Sequence, residues 1–228
     1  YALAAISYNL AQDYENAITA ASTALSLDPT NADAHDATGL AYYYLGQLTL
    51  AIEHFSRAIE ADPTKHQYYT NLGNAYFQMA SWARARQEYE NALKVIPSST
   101  VANTAYQRSY LLYLVARTYH YQRQYKQEIE ALNKALTLDP GYLEALLQLA
   151  EAYIELGQYR AAETDLRMAL NKSPNDEMDA RIHTQLGRLF EREGQVHKAI
   201  AHYGSALKAA RAADIENREA EEALQRLQ

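Results

Sequence analysis

Apolar residues return along the chain at steps of three and four, in paired stretches of about 12 to 14 residues. Tyr69, Leu72, Gly73 and Tyr76 stand 3, 1 and 3 apart, which places them on one side of an α-helix. Ala85, Tyr89 and Ala92 do the same in the following stretch. Each pair of stretches closes at a proline: Pro29, Pro63, Pro97, Pro140 and Pro174, separated by 34, 34, 43 and 34 residues. A proline ring clashes with the preceding helical turn and has no N–H to give, so each marks a helix end. The phrase before it recurs, as in Ala24-Leu25-Ser26-Leu27-Asp28-Pro29 and Ala135-Leu136-Thr137-Leu138-Asp139-Pro140. Gly46, Gly157 and Gly194 break the helix between the two stretches of a pair. The pattern predicts about six copies of a 34-residue helix pair. In such a pair, small residues at Gly73 and Ala85 let the helices approach, and Tyr76 and Tyr89 fill the space beside them.

These residues resemble the tetratricopeptide repeat, in which Trp-x2-Leu-Gly-x2-Tyr is followed by Ala-x3-Phe and then Pro. Tyr69-x2-Leu72-Gly73-x2-Tyr76 with Ala85-x3-Tyr89, and Leu186-Gly187-x2-Phe190 with Ala199-x3-Tyr203, carry the likeness. So do Gly39-x2-Tyr42, Ala51-x3-Phe55 and Pro63, and Leu149-Ala150-x2-Tyr153, Ala162-x3-Leu166 and Pro174. The resemblance implies an all-α fold, an α-α superhelix of antiparallel helix pairs. Its repeats would span approximately 1–31, 32–65, 66–99, 109–142, 143–176 and 180–213, with a capping helix over 214–228. Each unit bears an apolar face that only stacking buries. By resemblance, the first helix of each pair lines a concave groove.

The pattern has irregularities. The first copy starts part-way through its first helix at Tyr1, so either repeats precede it or its apolar edge is bare. With no initial Met and no signal-peptide pattern, the chain reads as a fragment or processed form. An insertion over 100–108 precedes the fourth copy. Ser98, Ser99 and Thr100 read as caps of a helix from Val101 to about Gln122, roughly 33 Å long. It is either a plain insertion or a docking ridge using Val101, Tyr106 and Tyr110. Glu128 occupies a helix contact usually held by a small residue, where a structural hydrogen bond from Arg117 or a tyrosine hydroxyl is expected. Asp214 reads as the cap of a last helix with Ile215, Ala220, Ala223, Leu224 and Leu227 on one face.

Carrying the family's groove positions over gives Asp33, Asp36, Tyr43 and Tyr44 in the second copy, and Gln67, Thr70, Asn74, Phe77 and Gln78 in the third. The fourth gives Tyr110, Tyr113, Arg117, His120 and Tyr121. The fifth gives Glu144, Leu147, Glu151 and Glu155, and the sixth Arg181, Thr184, Arg188, Glu191 and Arg192. The binding candidates are Tyr43, Tyr44, Asn74, Phe77, Tyr113, Arg117, His120, Tyr121, Glu151 and Arg188. Tyrosine and arginine dominate recognition hot spots, an amide such as Asn74 engages a peptide backbone both ways, and arginine clamps carboxylates. Acid at Asp33 and Asp36 against arginines from Arg181 to Arg192 implies a ligand direction. The five-residue carboxylate clamp of some family members is absent: Ala2, Ile6 and Asp36 stand at its early positions.

Composition narrows the function. The 228 residues are 48% hydrophobic and include 20 tyrosines, with no cysteine for disulfide or thiolate chemistry. A net charge of −7 argues against nucleic acid as a partner. No run reaches the ~18 apolar residues of a membrane span. No phosphate or dinucleotide loop and no His-Glu-x-x-His motif occurs, so no catalytic residue, metal or cofactor is assigned. His197 and His202, five apart, fall on different sides of a helix, and the histidines read as scattered. Glu221 and Glu222 read as a solvated face, and Asn171-Lys172-Ser173 as a chance glycosylation sequon. The compartment is unreadable beyond the cytoplasm as default. The leading reading is a non-enzymatic scaffold that binds a protein or peptide partner in the groove. The alternative is a solenoid that self-assembles through its repeat edges.

Overall fold

The computed structural model describes residues 1–96 and 102–227, which contain thirteen α-helices and no strand. The chain divides into two compact units, Tyr1–Gln122 and Arg123–Gln228. The first holds α1 (Ala2–Leu10), α2 (Tyr14–Leu27), α3 (Ala32–Tyr44), α4 (Leu48–Ala61), α5 (His66–Gln78), α6 (Trp82–Val95) and α7 (Ala102–Tyr121). The second holds α8 (Tyr125–Leu138), α9 (Leu143–Glu155), α10 (Tyr159–Lys172), α11 (Asp176–Arg192), α12 (Val196–Ala212) and α13 (Arg218–Leu227). In each unit every helix packs on its neighbour in sequence, building a stack of antiparallel pairs.

Local chemistry sets the turns. Within a pair the chain reverses over three residues, the middle one in the left-handed region: φ is +75° at Gly46, +70° at Gly157 and +81° at Gly194. Gln12 (+60°) and Ala80 (+55°) adopt the same conformation without the freedom of glycine. A backbone bond closes each reversal, as from Gln47 N–H to Tyr42 O at 2.8 Å and from Gln195 N–H to Phe190 O at 2.8 Å. Between pairs, the aspartate before the proline accepts the N–H two residues on: Thr30 for Asp28, Thr64 for Asp62 and Gly141 for Asp139, each at 3.0 Å. The threonine bonds hold Asp28 and Asp62 below the usual carboxylate range.

The core lies inside the pairs, at residues 16 apart. A Cβ on Gly39 would meet Phe55 ring carbons at 2.6 Å, on Gly73 the Tyr89 ring at 2.5 Å, and on Gly187 the Tyr203 ring at 2.6 Å. These rings therefore lie directly on the opposing glycine, closer than the expected packing beside it. Where the first helix carries alanine, the partner is smaller: Ala150 and Leu166 share the core of the second unit, and Ala5 and Ala21 that of the first. All four are buried. From glycine–ring to alanine–leucine, bulk is thus exchanged across one contact.

Several sequence expectations change. Pro97, Ser98, Ser99, Thr100 and Val101, read as a helix end, caps and part of a ridge, lie outside the described residues, as does Gln228. Helix α7 runs for 20 residues, about 30 Å at ~1.5 Å per residue. Arg108 fastens its first half by donating to the carbonyls of Leu93 (3.2 Å) and Ile96 (3.3 Å) at the end of α6. Glu128 is fully buried and accepts from the Gln148 amide of α9 at 2.8 Å, a donor the sequence reading did not name. Asp214 does not cap α13. It sits at φ +55° in the turn after α12, and Asn217 supplies the cap, accepting from Ala220 N–H at 3.1 Å. Ala220 and Ala223 are buried, with Leu224 and Leu227 packed beside them, whereas Ile215 is exposed.

The glycine–ring contact predicts a coupled pair. Gly39→Ala overpacks against Phe55 and costs about 1–3 kcal/mol, and Phe55→Leu costs about 1–2 kcal/mol. The double variant recreates the Ala150–Leu166 arrangement and loses less than the sum. Urea denaturation of the four proteins measures this, and strict additivity refutes it.

Candidate functional site

First helices also touch one another: α1 meets α3 and α3 meets α5 in the first unit, and α9 meets α11 and α11 meets α13 in the second. This layer is the inner face of each unit. Its side chains are bridged at spacings close to one repeat, but the two units bridge it with different chemistry.

In the first unit the inner face is aromatic. Trp82, at the start of α6, stacks on Tyr121 with ring centroids 4.6 Å apart and planes 14° from parallel. Phe77 meets both edge-on, at 4.8 Å from Trp82 and 5.3 Å from Tyr121, and His120 meets Tyr121 at 5.7 Å. The Arg117 guanidinium lies 4.5 Å from the centre of the Phe77 ring and 6.0 Å from that of Tyr113. The Asn74 side-chain oxygen accepts from the Tyr89 hydroxyl at 2.9 Å. Tyr43 accepts from Gln78 at 2.8 Å and meets Tyr44 edge-on, and Tyr44 stacks on Tyr14 at 5.3 Å. Tyr44 stays 58% exposed and Tyr121 53%, whereas Tyr43, Asn74, Phe77 and Arg117 are half-buried. The structure thus brings Phe77, Tyr113, Arg117, His120 and Tyr121 into one group and Tyr43 and Tyr44 into a second, with Asn74 on the helix between. Trp82 was missed because it opens a second helix, outside the family's groove positions. Its signal was that it is the one tryptophan in the chain.

In the second unit the inner face is ionic. Arg188 reaches Glu151 at 3.5 Å and Glu219 of α13 at 3.4 Å, Arg192 reaches Glu155 at 3.2 Å, and Arg226 of α13 reaches Glu191 at 2.7 Å. Glu151 and Arg188 are therefore partners of each other. Leu147 and Thr184, expected on the groove surface, are buried instead, because the neighbouring helices pack over them. In the first unit Asp33 accepts from Lys65 at 2.7 Å and Tyr68 at 2.5 Å, and Asp36 from Asn71 at 2.8 Å. Asp33 is thus paired with Lys65, and Arg188 and Arg192 with Glu151, Glu219 and Glu155, each inside its own unit.

Four of the seven histidines form two pairs. His35 and His54 place Nδ1 atoms 3.2 Å apart, and His183 and His202 do so at 3.1 Å. Both pairs are 19 residues apart at matching positions of two repeats, a recurrence readable in the sequence. One proton bridges such a pair, and a second breaks the contact. Burial first, then the neighbouring His35 and Arg57, holds His54 below its ordinary 6.5, against Glu53. Burial, His183, Arg167 and Lys198 lower His202 against Glu163, and burial lowers His183 against Asp179. Burial pushes Asp36 and Asp165 up to about 6, with Asn71 opposing at Asp36.

The pH dependence follows in sign. Lowered histidines bind protons first in the unfolded chain, so their stability contribution is complete above 6.5 and is lost as pH falls through that value toward their folded pKa. The raised aspartates act oppositely: their ionised forms destabilise the fold above about 6, and protonation relieves this between about 6 and 3.8. In melting experiments from pH 7.5 to 4, His54→Gln with His202→Gln flattens the initial fall. Asp165→Asn raises Tm at pH 7.5, and the gain disappears by pH 4.

Family comparison agrees with this architecture. A model described as a TPR repeat matches residues 39–79, and three described as tetratricopeptide repeats match 66–99, 120–189 and 182–219. The chain belongs to the tetratricopeptide repeat family, in the all-α helical-repeat class. Among its relatives, Superkiller protein 3 of Schizosaccharomyces pombe is 35% identical over 83 residues, 35% of this chain and 6% of that protein. The chain thus spans a small fraction of the length of that relative. Among solved structures, PilF of Pseudomonas aeruginosa is similar with a TM-score of 0.75 at 19% identity, covering 97% of this chain and 94% of the other. YrrB, described as a TPR protein with an unusual peptide-binding site, has a TM-score of 0.67 at 17% identity, covering 90% of this chain and 98% of its own. Among the described residues no helix is long and apolar enough to cross a membrane.

Proposed function

We propose that the chain is a non-enzymatic interaction scaffold whose first unit holds a segment of a partner polypeptide against its inner face. The carrying observation is the group of Phe77, Trp82, Arg117 and Tyr121. Its rings are fixed by mutual stacking, yet Tyr121 remains half open to solvent. Rings already ordered lose little entropy when a ligand covers them, the property of a recognition hot spot. A peptide-binding site described for YrrB, of the same fold, accords with the reading. The ion-paired inner face of the second unit is the less suited surface, because a ligand there would have to displace carboxylates already bound. A second reading, self-association through repeat edges, draws on the exposure of Leu3 and Leu10 on α1. Light scattering across a concentration series tests it, and a constant monomer mass refutes it.

Affinity capture from a lysate, with wild type beside folded Tyr121→Ala and Arg117→Ala variants, tests the scaffold reading. A retained protein is expected to bind each variant about 1–2 kcal/mol more weakly, with circular dichroism and melting unchanged. Equal retention by all three overturns the assignment of the face.

A further inference from the structure

We infer that the partner segment places the side-chain carboxylate of an internal Asp or Glu against Arg117, with apolar neighbours of that residue on the Phe77, Trp82 and Tyr121 rings. This rests on the preceding reading of the inner face as the binding surface. Arg117 lies over the Phe77 ring at 4.5 Å. A cation held over a ring interacts through its charge and spends none of its N–H groups, which remain for a carboxylate to fill with two parallel hydrogen bonds. Among the described residues Arg117 forms no hydrogen bond and no ion pair.

The second unit provides the contrast. Its inner-face arginines each have a carboxylate: Arg188 has Glu151 and Glu219, Arg192 has Glu155, and Arg226 has Glu191. Of the acids expected on the inner face of the first unit, Asp33 is committed to Lys65 and Tyr68 and Asp36 to Asn71. The Arg117 charge acts on the phenols of Tyr43, Tyr89 and Tyr110, opposing the rise that burial gives each. A half-buried cation among rings, without an anion of its own, complements a carboxylate brought by a ligand, and the rings lessen the solvent screening of that pair.

An internal residue fits better than a chain terminus. Along α7, exposed aromatic side chains lie on both sides of Arg117: Tyr106 and Tyr110 toward its start, and Tyr121 at its end. A segment crossing the face covers both sides, whereas a chain ending at Arg117 covers one.

The test uses an array of 12-residue peptides of random composition, acetylated and amidated so that every carboxylate is a side chain. Binding is read from the fluorescence of Trp82, the one tryptophan of the chain. Bound peptides are expected to share an Asp or Glu. Its exchange for Asn or Gln is expected to weaken binding to wild type about tenfold or more and to Arg117→Gln less than about twofold. The peptide exchange leaves the protein untouched, so the conclusion does not depend on how the variant folds. If bound peptides need no acid and bind Arg117→Gln equally, yet are lost with Phe77→Ala and Tyr121→Ala, the inference fails and the face reading stands. If a second array of the same sequences with a free C-terminus binds where the amidated array does not, the side-chain carboxylate is refuted. If no peptide binds, or binding ignores all these variants, both the inference and the face reading fail.

Discussion

The architecture depends on one contact, made once per helix pair, where a side chain of the second helix lies against the smallest residue of the first. With glycine the partner is a full ring, as for Gly39 and Phe55, Gly73 and Tyr89, and Gly187 and Tyr203. With alanine it is leucine, as for Ala150 and Leu166. Glycine with a ring and alanine with leucine have similar summed bulk, so the two kinds of contact fill the same kind of space. A core so divided gives each repeat neighbours only on either side, and a local exchange of volume is tolerated where a lone enlargement is not.

That regular spacing turns the inner face into rows at which residues about one repeat apart meet. The rows do not dictate chemistry. In the second unit they carry alternating carboxylates and guanidiniums, which α13 extends through Glu219 and Arg226. α13 thereby covers the apolar end with Ala220 and Ala223 while continuing the ionic surface. In the first unit the same rows carry rings, an amide and, in Arg117, a cation with no ion pair among the described residues. One backbone arrangement therefore yields a self-satisfied surface and a surface with unused valence, and the difference between them carries the functional reading.

The polar groups taken into the structure follow the rule that a buried polar atom needs a partner. Glu128, which replaces a small residue at a helix contact, is bonded by Gln148. The histidine pairs share a proton in neutral form and lose the contact once both partners are charged, which makes them acid-sensitive components of the packing. Their burial, and that of Asp36 and Asp165, makes stability depend on pH with opposite signs.

The sequence by itself determined the helices, their pairing and the small residues at which the two helices of a pair approach. These follow from local rules: proline ends helices, glycine turns the chain, and apolar residues three and four apart must share a buried side. Through the family resemblance it also marked Phe77 on α5 and Arg117 and Tyr121 on α7 as surface candidates. What only the tertiary structure decided is what meets across helices. Trp82 joins the rings from a second helix, Asn217 rather than Asp214 caps α13, Leu147 and Thr184 are covered, and Glu151 and Arg188 neutralise each other. Each of these depends on the distance between side chains far apart in the chain. Periodicity fixes the direction of a side chain around its own helix, whereas its partners are set by the separation and rotation of the next helix, which arise from packing.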